Sequence, residues 1–212
     1  MSTWTSRAAL AGAALALSAC TEQETGAAAP REVVVARGAV LVAAPPGYCV
    51  DRTALRDAEE GSFALLASCA SLDPNADGPS AQPAILTVTV SGRDPETTPP
   101  RAEALAAAAP EAVLATRQRG ALALVHLGDG GDAVLPGGDP RHWRGATGTG
   151  GRVVALALYA PRESPLAGAA GGDLMAALAA RIEARAPATV AVAPPQGRSG
   201  DGLRATLARL FN

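Results

Sequence analysis

The chain has 212 residues, 48% of them hydrophobic but only 3% aromatic, so its core must be built from Ala, Val and Leu, and one substantial domain with extended ends is the natural partition. Its 18 basic residues are all Arg, and against 20 acidic residues they leave a formal net charge of −2 with the two signs interspersed. Such a pattern lacks the basic stripe that nucleic-acid binding requires, so no nucleic-acid partner is expected, and GC-rich coding accounts for the Arg, Ala, Gly and Pro content.

Residues 1–7 carry Arg7 and the N-terminal amine, and residues 8–19 are an uncharged run dominated by Ala and Leu. The run is too short to cross a membrane, which takes about 20 apolar residues. It suits the apolar region of a secretory signal, about 7–15 residues long. The run closes on Leu17-Ser18-Ala19-Cys20. This resembles the bacterial lipobox, in which the Cys thiol accepts a diacylglycerol and becomes the first residue of the mature chain. The resemblance implies a signal peptide over 1–19, lipidation at Cys20 with palmitate-type acyl chains, and a membrane anchor on the periplasmic side of the cell envelope. Thr21, where an Asp favours inner-membrane retention, implies the outer membrane in preference to the inner. The alternative is an ordinary secreted protein with an incidental Cys. Removing nineteen of the 212 residues leaves 193.

Residues 20–32 are polar and Ala-rich and are read as a tether. The domain is expected over 33–187, opening with β-branched runs at 33–35 and 39–42 around Arg37-Gly38 and a turn at Pro45-Pro46-Gly47. Residues 63–69 and 84–90 are the next strands; in the second, Leu86, Val88 and Val90 share one face and Thr87 and Thr89 the other. Thr98-Pro99-Pro100 opens a helix to about Ala109. Residues 112–127 fit a hairpin turning near Arg119-Gly120. Residues 142–146 and 152–160 fit a second one, with Thr147-Gly148-Thr149-Gly150-Gly151 as its turn. Asp173 is positioned to cap a helix whose Leu174, Leu178 and Ile182 form an apolar stripe, with Arg181 and Arg185 at its C-terminal end and Pro187 as its stop. Residues 188–200 are a Pro/Gly-rich linker, and 201–212 a short amphipathic segment with Leu203, Leu207, Leu210 and Phe211 on one side, too short to stand alone as a helix.

Strands, helix, strands, helix with hairpin-length links predict an α+β domain, an antiparallel sheet with helices packed on it. A mostly-β sandwich with peripheral helices is the alternative. The order resembles the PsbP family of photosystem extrinsic proteins and their bacterial lipoprotein relatives over about 33–187. The resemblance rests on Pro46-Gly47-Tyr48-Cys49-Val50-Asp51, the strand at 84–90, the Pro-opened helix, Trp143-Arg144-Gly145 before the strand at 152–160, and a final amphipathic helix. It implies a role in assembly or binding and carries over no catalytic residue. The Cys pair and the chain beyond Pro187 depart from that family.

Once Cys20 carries a lipid, Cys49 and Cys69 are the remaining thiols. Export places them in an oxidising space, where a disulfide between them is expected; two buried free thiols are the alternative. Two His, no Cys-x-x-Cys and no ligand spacing give no expectation of a metal or cofactor. Arg141-His142-Trp143-Arg144 is the densest polar-aromatic cluster and a candidate site for an anionic or aromatic ligand; alternatively it is a strand entry with Trp143 in the core. Two functional expectations follow. One is a noncatalytic envelope module, anchored by its lipid, that binds a protein or small ligand or assists assembly with an envelope partner. The other is a periplasmic hydrolase using His126 or His142 with an Asp such as Asp129 or Asp139.

Overall fold

The computed structural model describes residues 28–185. The signal-like segment, Cys20, the 188–200 stretch and the amphipathic 201–212 segment lie outside the described residues. Two antiparallel sheets organise the domain. The strands are β1 (Glu32–Val35), β2 (Val40–Ala43), β3 (Tyr48–Asp57), β4 (Gly61–Ser68), β5 (Ile85–Ser91), β6 (Val113–Arg119), β7 (Leu122–Leu127), β8 (His142–Thr149), β9 (Arg152–Tyr159) and β10 (Ile182–Ala184). The helices are α1 (Cys69–Leu72), α2 (Ala102–Ala107), α3 (Gly131–Val134) and α4 (Ala169–Ala179). The seven-stranded sheet runs β3-β4-β5-β9-β8-β7-β6, and the three-stranded sheet runs β1-β2-β10. Helices pack on the sheets, α2 against β6 and β7 and α4 against β7, β8 and β9, so the domain is α+β as its sequence predicts.

Strand alternation decides what is buried. Leu66 pairs with Leu86, Leu86 with Leu158, Leu158 with Trp143 and Trp143 with His126, so one row crosses five strands on one face. That face joins Val35, Val40 and Val42 of the small sheet and Met175 and Leu178 of α4 in a single core. The strand at 84–90 behaves as its alternation requires: Leu86, Val88 and Val90 are buried, and Thr89 is exposed. The β8–β9 turn is confined to Gly150-Gly151, both at positive φ (57° and 71°), the backbone of a two-residue hairpin turn that side chains disfavour. Thr147, Gly148 and Thr149, expected in the turn, extend β8.

The β1–β2 connection is less ordinary. Ala36 and Arg37 sit at φ 55° and 54°, a conformation that costs a non-glycine residue about 1–2 kcal/mol. Asp57 at the end of β3 holds it: its carboxylate accepts the amides of Ala36 (2.7 Å) and Arg37 (3.3 Å) and the Ser62 hydroxyl (2.6 Å).

Several boundaries differ from the sequence expectation. Chain order begins before Val33: the Pro30 carbonyl accepts the Val50 amide (2.7 Å), Arg31 accepts from Ala44 (2.7 Å), and Glu32 opens β1. The strand β3 follows the Pro45-Pro46-Gly47 turn and runs to Asp57, a stretch without apolar alternation. Cys69 starts α1 after Ser68, whose hydroxyl caps it by accepting the Ser71 amide. The Pro-opened helix is confined to α2, with Pro99 and Pro100 ahead of it. The last helix begins at Ala169, so Asp173 lies inside it and caps nothing; its carboxylate faces Arg117 and Arg119 on β6. Ile182 is not on that helix. The helix ends at Ala179, and Ile182 pairs with Val42 as the start of β10.

Cys49 and Cys69 are joined by a disulfide, with Cα atoms 4.8 Å apart. The Cys69 amide also donates to the Gly47 carbonyl (2.9 Å), so bridge and hydrogen bond together pin the start of β3 to the start of α1.

Candidate functional site

Arg141 precedes β8, and His142, Trp143 and Arg144 alternate between its faces, so the cluster does not form one surface. Trp143 points into the core and is 1% exposed. Its indole N–H donates to the Gly168 carbonyl (2.8 Å), and its ring stacks on His126 with centroids 4.5 Å apart and planes 8° from parallel. The Arg117 guanidinium lies over the same indole at 5.1 Å, within cation–π range. Helix α4 meets this ring through Gly171 and Gly172. A Cβ on Gly171 would collide with the Leu166 carbonyl and come within 2.8 Å of the indole, so no other residue lets the helix approach so closely. His126 has its Nε2–H bonded to the Ala167 carbonyl (2.8 Å), tying the turn before α4 to β7.

His142 and Arg144 occupy the opposite face. His142 is wholly buried and stacks on Tyr159 with centroids 5.3 Å apart. Its Nδ1–H reaches toward the Pro140 carbonyl at 3.4 Å, leaving Nε2 without a partner among the described residues. Arg144 bonds Glu111 (2.8 Å), and the second Glu111 oxygen is likewise buried and unpartnered. Beside them, Leu105, Ala108, Ala109, Val125, Leu127 and Arg144 line a hollow of about 250 Å³ under α2. Arg141 belongs to neither group. It grips buried Asp139 through two nitrogens (3.0 and 2.9 Å), and that carboxylate also accepts the amides of Arg141 and Glu163. The Arg141 guanidinium first, and these amides with it, hold the Asp139 carboxyl far below the usual carboxylate range.

The two histidines named for a hydrolase therefore lie on opposite sides of the sheet, and Asp139 faces Arg141. Both imidazoles are pushed toward the neutral form, first by burial; Arg141 and Arg117 add to this at His126, and Arg144 at His142. No protein-family model, curated protein or solved structure matches the chain.

The depressed histidines set a pH dependence. The unfolded chain takes up these protons near pH 6.5, whereas the folded chain does so only at lower pH. Stability contributed by the neutral rings is thus fully present above about pH 6.5 and is lost as pH falls below it. The urea midpoint should drop between pH 7.5 and 5, and His142→Gln should shrink that drop. An unchanged drop would place the proton uptake elsewhere; Asp139 titrates well below this window.

The loop that carries the other polar cluster follows α1. Asp73-Pro74-Asn75-Ala76-Asp77-Gly78 has the D-x-N-x-D-G spacing of the first half of a calcium loop. The twelfth position, where such a loop needs a bidentate Glu, is Ala84, buried ahead of β5. Asp73 instead accepts the Asn75 amide (2.9 Å), Asp77 offers its carbonyl to Arg31, and the loop walls a groove of about 550 Å³ with Asp51 and Arg52. Among the described residues no three His, Cys, Asp or Glu side chains converge as metal ligands, and no helix is long and apolar enough to cross a membrane.

Proposed function

We propose that this protein is a lipid-anchored component of the bacterial envelope whose domain is a noncatalytic binding or assembly module facing the periplasm. The observation that carries the noncatalytic part is how Arg141, Trp143, Arg144 and His126 are used. Arg141 locks Asp139, Trp143 and His126 lock α4, and Arg144 locks Glu111, so these polar groups are engaged in holding the fold. The Cys49–Cys69 bridge supports an oxidising compartment. Export and anchoring rest on the segment ending Leu17-Ser18-Ala19-Cys20. A binding role is also what the resemblance to PsbP-like lipoproteins implies.

Metabolic labelling with a fatty-acid analogue in a bacterial host should mark the wild-type chain strongly and leave Cys20→Ala at background. Equal labelling of both would remove the anchor. Crosslinking in the native host, followed by mass spectrometry, should then return a specific envelope partner. Turnover of generic ester, phosphate or glycan substrates, lost in His126→Ala or His142→Ala, would turn the reading to a hydrolase.

A further inference from the structure

Which surface of a binding module receives its partner is answered most directly at the free end of the large sheet. β6 is the terminal strand, paired with β7 on one side and with nothing on the other among the described residues. An unpaired strand presents a row of N–H and C=O groups to which another strand can add. At the opposite end of the sheet, the segment before β1 meets the start of β3 through the Val50–Pro30 hydrogen bond. β6 has only a register shift between Val113 and Ala115, after which its pairing with β7 runs regularly from Ala115 to Arg119.

Two further features mark this edge. Val113 (41% exposed) and Leu114 (53%) are two of the three large hydrophobic side chains exposed among the described residues, and the third, Val134, is in α3 just beyond β7. Arg117 and Arg119, two apart and so on one face, share the single Asp173 carboxylate at 3.5 and 3.0 Å. That leaves one positive charge in excess at the far end of the strand.

Resting on the binding role above, we infer that the β6 edge is a strand-addition site for an extended segment of a partner protein, apolar where it meets Val113 and Leu114 and acidic where it meets Arg117 and Arg119. A second copy fits less well. Antiparallel self-pairing about Thr116 sets Arg119 against Val113 and Arg117 against Ala115, and supplies no carboxylate to either guanidinium.

The test uses the full mature chain and two capped synthetic peptides, Glu-Thr-Glu-Thr-Val-Leu-Val and Lys-Thr-Lys-Thr-Val-Leu-Val. The Glu peptide should bind at least about tenfold more tightly than the Lys peptide. Hydrogen exchange should show new protection confined to amides of 113–119. Leu114→Lys should weaken the Glu peptide about tenfold, and Arg119→Glu should erase or invert the preference between peptides; both side chains are exposed, and unchanged melting temperatures establish that the variants fold. Equal affinity for the two peptides, or no binding, overturns the inference. So does protection of the β6 edge already present in the free chain, which would mean that another part of the chain or a second copy covers it. A partner crosslinked equally to wild type and Leu114→Lys in the native host would overturn this edge as the site while leaving the binding role standing.

Discussion

Trp143→Ala should destabilise the domain by about 3–5 kcal/mol, read as a lower urea midpoint at an unchanged slope. Truncating a fully buried indole removes a large apolar surface and opens a cavity. Here three further losses add to that cost. The Gly168 carbonyl loses its donor, His126 loses the ring it stacks on, and Gly171-Gly172 lose the surface against which α4 is seated. Trp143→Phe keeps an aromatic ring but not the hydrogen bond, and should fall between wild type and Trp143→Ala. A loss below about 1 kcal/mol for the Ala variant would mean that α4 is held mainly by Met175 and Leu178, and that the indole is dispensable for packing.

Removing the disulfide is the second large effect expected. The Cys49→Ser, Cys69→Ser double variant should lose about 3 kcal/mol, the stabilisation expected from closing a loop of this size in the unfolded chain. The cysteines are 20 residues apart in sequence and 4.8 Å apart at Cα. The wild-type chain in reductant should unfold at the midpoint of the double variant, while the double variant should be indifferent to reductant. Peptide mapping without reduction should recover the two cysteines in one linked fragment. Recovery of both as alkylated free thiols, or a midpoint insensitive to reductant, would show that the pair contributes as small core residues only.

What the sequence made legible follows from how local each signal is. The alternation of Leu86, Val88 and Val90 with Thr87 and Thr89, and the glycines at 120 and 150–151, are written within a few residues, and strands β5 to β9 follow from them. The second half of β3, Arg52-Thr53-Ala54-Leu55-Arg56-Asp57, carries no apolar alternation: its pairing with β4 breaks after Asp51 and resumes only at Arg56 and Asp57. The start of α4 was hidden for a different reason. Two consecutive glycines ordinarily discourage a helix, but Gly171 and Gly172 are required by the indole packed against them, a tertiary demand that overrides propensity. Ile182 continues the helical spacing of Leu174 and Leu178. Its actual partner is Val42, far away in the chain and invisible to periodicity. The candidate site shows the same limit. Arg141, His142, Trp143 and Arg144 look like one constellation in sequence, and strand alternation divides them. Glu111, which holds Arg144, gives no signal because its partner lies 33 residues away on β8.

The pairing of β10 with β2 has a kinetic consequence. The small sheet is completed by nearly the last described residues, since Ile182, Glu183 and Ala184 align with Val42, Leu41 and Val40. The large sheet likewise joins β5 to β9 across the intervening hairpin and helices. Contacts so distant in sequence make folding slow relative to a helical bundle, because the entropy of closing long loops must be met before the contacts form. The core under Val40, Val42 and Ile182 therefore stays open until residues 182–184 are available to pair. The topology itself thus postpones compaction of this part of the core until β10 is free to pair with β2.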